Sequence, residues 1–167
     1  LEKQKDYVTA IRSIKILADT GFKFKYYILG KGSQKSKLLK LINQLNLNNH
    51  VIFLGFSKNP YKYIANSDLF LLTSRYESFG MVLAESLMLG TPVVSTNCFC
   101  GPSEIIDNEN LGILVNVNDP DSVHQGIINA FRKNFDKNDL INKSKKYSID
   151  TIGNYYIDLF IELESYK

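Results

Sequence analysis

The run Asp68-Leu69-Phe70-Leu71-Leu72-Thr73-Ser74-Arg75-Tyr76-Glu77-Ser78-Phe79-Gly80-Met81-Val82-Leu83-Ala84-Glu85-Ser86-Leu87-Met88-Leu89-Gly90-Thr91-Pro92-Val93-Val94-Ser95-Thr96 reads as a strand, a turn, a helix and a second strand. After Asp68 its first residues are continuously apolar, the pattern of a parallel strand covered on both faces. Gly80 opens the helical segment and Gly90 stops it, after which residues 92–96 resume as a strand. The helix is apolar almost all round, with Met81, Val82, Leu83, Ala84, Leu87, Met88 and Leu89, so it is expected to be buried. Glu77 and Glu85, eight positions apart, are its exceptions. A buried carboxylate is unfavourable unless something hydrogen-bonds it, so Glu85 is expected to have a partner, a bound ligand among the candidates.

The same alternation continues outward in both directions. Residues 7–18 carry apolar side chains at helical spacing and end at Gly21. A strand over 25–29 stops at Gly30-Lys31-Gly32, and Ser33 is placed to cap a basic amphipathic helix. Val51-Ile52-Phe53-Leu54 is the next strand, closed by Gly55, and Asn59-Pro60-Tyr61 starts a short helix. Beyond the central unit come a loop through Gly101-Pro102, a short helix over 103–106 and a strand over 112–115. Asp119 and Pro120 then open a helix, and the tail from 137 to 166 is helical in two pieces. The predicted fold class is α/β: a Rossmann-like, doubly wound parallel sheet with helices on both faces, forming a single domain over 1–167.

The 167 residues, with 44% hydrophobic and 22% charged, fit one folded domain and exclude a disordered chain. The net charge of +3 is mild and interspersed, which gives no nucleic-acid signal. Lys35, Lys37 and Lys40 form a basic face, read as solvated, with anionic-membrane contact as the sharper alternative. No run approaches the ~20 apolar residues of a membrane span. Cys98 and Cys100 match no zinc spacing and read as free thiols in a reducing cytosol. His50 and His124 each stand alone and read as structural or solvated. Asp119-Pro120-Asp121 resembles a metal-binding Asp-x-Asp but sits where Asp caps and Pro leads a helix, so no metal is expected.

In such sheets ligands bind outside the carboxyl ends of the strands. The turn Ser78-Phe79-Gly80 presents backbone N–H groups at a helix N-terminus, a natural anion site, and Gly80 allows close approach. Eight helical residues span at most ~12 Å, which does not by itself separate the Glu pair from a hydrolytic one at roughly 5–10 Å. The phosphate-suited turn between the acids favours another ligand. Carboxylates take bidentate hydrogen bonds from vicinal hydroxyls, so a polyol at each end and a phosphate in the middle describe a nucleotide sugar.

At these residues the chain resembles the C-terminal, donor-binding domain of family 4 glycosyltransferases, retaining enzymes of the GT-B fold. Glu77 and Glu85 match the family's E-x7-E motif, and Gly90-Thr91-Pro92-Val93-Val94-Ser95, Phe53-Leu54-Gly55-Phe56 with Asn59-Pro60-Tyr61, and Gly101-Pro102-Ser103-Glu104-Ile105 follow its other motifs in order. The resemblance implies that Glu77 contacts the donor sugar, Glu85 the ribose, and the amides of Phe79, Gly80 and Met81 the sugar or diphosphate. It also implies a diphosphate lysine, matched by Lys5, and a preceding Arg and strand that are absent before Leu1. The implied donor-binding set is Lys5, Gly30, Gly32, Phe56, Glu77, Ser78, Phe79, Gly80, Met81 and Glu85, with catalytic roles at Glu77 and Lys5 and no cofactor beyond the nucleotide-sugar substrate.

The function so implied is retaining transfer of a hexose or N-acetylhexosamine, from a uridine diphosphate donor, to a glycan or polyprenyl-diphosphate-linked acceptor in O-antigen, capsule or other surface-polysaccharide synthesis. The chain alone is expected to be inactive, because its first strand and the N-terminal acceptor domain lie outside it. The expected location is cytoplasmic, with peripheral contact to the inner membrane. Two rivals remain at this level: a nucleotide-sugar epimerase of the same fold, and a non-catalytic nucleotide-sugar binding module.

Overall fold

Strand and helix alternate from the first strand to the fifth in the computed structural model, which describes residues 1–165; Tyr166, the last tyrosine of the tail, lies outside them. A 3-10 turn (Lys3–Lys5) leads to α1 (Tyr7–Asp19), β1 (Tyr26–Leu29), α2 (Lys35–Gln44), β2 (Val51–Gly55) and α3 (Tyr61–Ile64). The central unit follows as β3 (Phe70–Leu72), α4 (Met81–Met88) and β4 (Val93–Thr96). Then come α5 (Pro102–Ile105), β5 (Gly112–Val115), α6 (Pro120–Arg132), α7 (Lys137–Ser144), a second 3-10 turn (Lys145–Tyr147) and α8 (Ile149–Ser165). β3 is three residues long, shorter than the apolar run that announced it.

Every ladder is parallel: β1 with β2, β3 with β4, and β4 with β5. The ladders form a two-stranded and a three-stranded sheet instead of the single sheet expected. Residues 1–6 bridge the two where no ladder joins β1 to β3. The amino group of Leu1 donates to the Lys31 carbonyl, and the Arg75 amide donates to the Gln4 carbonyl at 2.8 Å. Leu1 itself is buried in the core that both sheets share.

Helices cover both faces, and β4 shows why. Side chains alternate along a strand, so Val94 packs with Ile11, Ile14, Val123 and Ile127 of α1 and α6, while Val93 packs with Leu83, Leu87, Ile105 and Leu140 on the other side. Leu83 and Leu87 are wholly buried; burial of a leucine side chain contributes about 1.5–3 kcal/mol.

Two local expectations are corrected. α4 is not buried all round: Met81 is 57% exposed, and Val82, Glu85 and Met88 are half-buried. Met81, Glu85 and Met88 follow i, i+4, i+7 spacing and form one open stripe, so apolar composition overstated the helix's burial. Ser33 does not cap α2 either. Its hydroxyl donates to the Glu2 carboxylate at 3.1 Å, and Gln34 occupies the cap position. The Asp119 reading holds, because its carboxylate accepts from the Ser122 amide at 2.9 Å at the start of α6. The two cysteines are free, Cys98 buried and Cys100 exposed. α8 buries none of its side chains against the described body, and Tyr155 and Tyr156 are exposed. No described helix is long and apolar enough to cross a membrane.

Candidate functional site

The residues singled out from the sequence gather beyond the carboxyl ends of the parallel strands. Gly30 and Gly32 follow β1, Phe56 follows β2, and Glu77, Ser78, Phe79 and Gly80 lie between β3 and α4; Lys5 arrives from the 3-10 turn ahead of α1.

Lys5 and Glu77 meet across 72 positions of sequence. The ammonium donates to Glu77 Oε1 at 2.7 Å, and the Glu77 side chain is 9% exposed against 35% for Lys5. Ser74 Oγ donates to the same oxygen at 2.5 Å. Oε2 has no hydrogen-bond partner among the described residues. A carboxylate with one oxygen anchored and one unengaged is suited to accept a hydroxyl from a ligand.

The base of this pair is stitched together by residues that sequence inspection passed over. Thr73 Oγ1 donates to the carbonyls of Lys5 and Asp6 at 3.0 and 3.1 Å. Asp6 is buried, takes a hydrogen bond from Thr9 Oγ1 at 2.8 Å, and pairs with Arg75 Nε at 3.2 Å. Its immediate position after Lys5 was visible in the sequence, but its pairing with a residue 69 positions away was not.

At the helix mouth, Gly80 is the N-cap of α4 with φ 85° and ψ 43°, and no side chain caps the first turn. The first N–H groups of a helix have no intrahelical acceptors, and the helix dipole adds positive character there. A second glycine brings the next loop in. A Cβ on Gly101 would lie 2.0 Å from the Phe79 carbonyl oxygen, so only glycine lets the loop between β4 and α5 lie against the 77–80 turn. The same closeness extends strand pairing into the loops as a parallel bridge between Tyr76 and Phe99. It also places Cys98 near Glu77: burial pushes the Cys98 thiol pKa up, and the Glu77 charge adds to the rise.

The Glu85 side chain forms no hydrogen bond or ion pair among the described residues; it lies on the open stripe of α4 and needs no protein partner. Gly32 backs onto the chain itself, since a Cβ there would lie 2.0 Å from the Leu1 nitrogen. The Phe56 ring is 66% exposed, with the Lys31 ammonium 5.8 Å from its centroid. No hydrogen bond or ion pair among the described residues links Gly30, Gly32 or Phe56 to the Lys5–Glu77 pair.

Residues 1–147 match the family described as glycosyl transferases group 1. The chain belongs to this family. Among its relatives is an N-acetylgalactosamine-N,N'-diacetylbacillosaminyl-diphospho-undecaprenol 4-alpha-N-acetylgalactosaminyltransferase of Campylobacter jejuni, 39% identical over 127 residues, covering 76% of this chain and 34% of the relative. A poly(ribitol-phosphate) alpha-N-acetylglucosaminyltransferase of Staphylococcus aureus is 30% identical over 163 residues, covering 95% of this chain and 33% of the relative. Among solved structures, a point mutant of S. aureus TarM in complex with Fondaparinux, alpha-GlcNAc-glycerol and UDP superposes with a TM-score of 0.82 at 26% identity, covering 94% of this chain and 33% of that one. The group 1 chain thus spans about a third of the length of these two curated relatives. Its parallel α/β architecture is that of GT-B glycosyltransferases.

Proposed function

We propose that this chain is the donor-binding domain of a retaining glycosyltransferase of family 4, and that Glu77 and Glu85 are its E-x7-E pair. In this reading Glu77 accepts hydroxyls of the donor sugar through its unengaged oxygen, and Glu85 grips the ribose from the open stripe of α4. Lys5, with the amides of Phe79, Gly80 and Met81, neutralises the diphosphate, while Ser78, Gly30, Gly32 and Phe56 line the same edge. Positive groups already in place where charge grows on the departing diphosphate supply the electrostatic term that usually dominates such catalysis. The donor is a uridine diphosphate hexose or N-acetylhexosamine, held without a metal, and the acceptor is a glycan or polyprenyl-diphosphate-linked sugar bound by a separate acceptor domain. Relatives named as N-acetylhexosaminyltransferases, one on an undecaprenyl diphosphate substrate, support the choice. Surface-polysaccharide synthesis at the cytoplasmic face of the membrane is the setting that fits, with transfer requiring both domains.

One observation carries the proposal: an ammonium and a nearly buried carboxylate, 72 positions apart, meet at 2.7 Å beside the turn into α4. Isothermal titration of the chain with UDP tests it. Charge-assisted hydrogen bonds contribute about 1.5–3 kcal/mol, so Glu85→Ala and Lys5→Met are each expected to weaken UDP binding roughly 10- to 100-fold, Glu85→Ala with little change in stability and Lys5→Met with some loss, because it leaves the Glu77 carboxylate without its cation. UDP binding that is absent in the wild type, or indifferent to both substitutions, refutes the assignment.

A further inference from the structure

We propose that Asp6 and Arg75 form a latch that positions the Lys5 ammonium for the donor diphosphate. The proposal rests on the donor-site reading above and assigns positioning roles to two residues that touch no ligand.

Asp6 is the residue at which the 3-10 turn ends and α1 begins, so its backbone sets the direction in which Lys5 leaves the chain. It does this at φ 44° and ψ 50°, a left-handed conformation that side chains other than Asn and Asp rarely adopt. Its carboxylate is 2% exposed and fully engaged. Thr9 Oγ1 donates to Oδ2 at 2.8 Å, Arg75 Nε lies 3.2 Å from the same oxygen, and an Arg75 terminal nitrogen donates to Oδ1 at 3.3 Å. Arg75 therefore engages both carboxylate oxygens, the fork geometry that carries orientation as well as attraction.

The backbone repeats the connection. Gln4, Lys5 and Asp6 each give a carbonyl to the 73–75 segment, through the Arg75 amide and the Thr73 hydroxyl. That segment continues through Ser74, whose hydroxyl holds Glu77. One ion pair thus joins the two chain segments from which Lys5 and Glu77 reach each other. A lysine loses up to about 2 kcal/mol of side-chain freedom when held, and fixing its root and its neighbour beforehand reduces that loss on binding.

The test uses Asp6→Asn, which tolerates the left-handed backbone and still accepts from Thr9, together with Arg75→Gln, the double variant, and Lys5→Met as a reference. UDP binding is measured by calorimetry and phosphate-free uridine binding by NMR titration. The expected result is a loss of about tenfold for UDP in each single variant, with uridine changed by less than about twofold. The double variant should lose no more than either single one, the mark of a coupled pair. A second readout needs no ligand: the 15N-labelled Lys5 ammonium, shielded by Glu77, should give a proton-coupled cross-peak in the wild type that disappears in Asp6→Asn. Equal losses for UDP and uridine, or a UDP affinity untouched while Lys5→Met weakens it, overturn the latch. If the wild type binds no UDP, the donor reading falls on its own, and persistence of the Lys5 cross-peak in Asp6→Asn is then the result that removes the latch.

Discussion

Gly101→Ala is the sharpest test of how the candidate site is held together. Gly101 sits at φ 87° and ψ −66° at the entrance to α5, and its absent Cβ would lie 2.0 Å from the Phe79 carbonyl oxygen and 2.7 Å from the Phe79 Cα. Two contributions follow. The backbone conformation is one that non-glycine residues hold at a cost of about 1–3 kcal/mol. The contact is with backbone, which cannot swing aside like a side chain, and overpacking of this kind costs about 1–3 kcal/mol more. The expected destabilisation is therefore roughly 2–6 kcal/mol, or a fall in Tm of roughly 8–16 °C for a mid-range 4 kcal/mol in a domain of this size. Gly21→Ala and Gly55→Ala are the controls. Both positions have positive φ, 79° and 73°, and a Cβ at either meets nothing within 4 Å, so only backbone strain of about 1–2 kcal/mol is expected. Urea and thermal unfolding followed by circular dichroism measure all three. UDP affinity should fall in Gly101→Ala alone, because relieving the clash moves Phe79 and with it the turn between Glu77 and α4. A Gly101→Ala variant no less stable than the two controls refutes the idea that this loop is locked onto the site.

Thiol titration with Ellman's reagent at pH 8 should show one fast group, Cys100, and one slow group, Cys98, because the latter is buried and its pKa is raised; equal rates count against the closed packing around Glu77. Leu87→Ala, at a wholly buried position of α4, should cost about 2–5 kcal/mol in urea unfolding, and a smaller effect means that the core can collapse around the gap. The Asp107–Lys146 pair ties the loop after α5 to the second 3-10 turn, lowering the Asp107 pKa and raising that of Lys146, each chiefly through the hydrogen bond between them. Both partners are nearly half exposed, 45% and 44%, so the pair contributes at most about 1 kcal/mol. Its stabilisation is present above the unfolded-state Asp pKa of about 3.9 and is lost as pH falls through the lowered folded value. At the alkaline end it is lost as pH rises through the raised Lys146 value. Asp107→Asn should thus be slightly less stable than wild type at pH 7, with the gap closing in acid; a gap that widens there sinks the assignment.

Much of the architecture was legible because its signals are local. A continuous apolar run marked β3, and Gly90 stopped α4 ahead of Pro92-Val93-Val94-Ser95-Thr96, read as the strand behind it. Asp119 and Pro120 announced α6. What escaped depends on surroundings. Ser33 is a good cap in isolation, yet Glu2, 31 positions earlier, takes its hydroxyl. The division into two sheets depends on what lies between β1 and β3, a matter of tertiary placement that periodicity does not encode. The burial of α4 was overstated for the same reason: Met81 and Met88 are apolar, but whether an apolar stripe is covered is decided by the elements packed against it, not by its composition.

The site divides along the same line, and the division sharpens its chemistry. Glu77, Gly80 and Glu85 stood out because a carboxylate in an apolar helix and a glycine at its mouth are anomalies within one short window. Glu85 was expected to need a partner on the premise that it is buried; it is half-buried and its side chain has no partner among the described residues, so its carboxylate lies open to solvent. Glu77 shows the reverse. It is the nearly buried acid, and its environment is supplied from far away by Lys5 and close by through Ser74, both on one oxygen. Glu77 and Glu85 therefore differ in kind. One is fixed beside a cation at the start of the helix and the other is open and adaptable; in the proposed reading the first holds the donor sugar and the second the ribose. In the proposed reading, the anchored acid and the cation held beside it are the part of this edge that serves transfer.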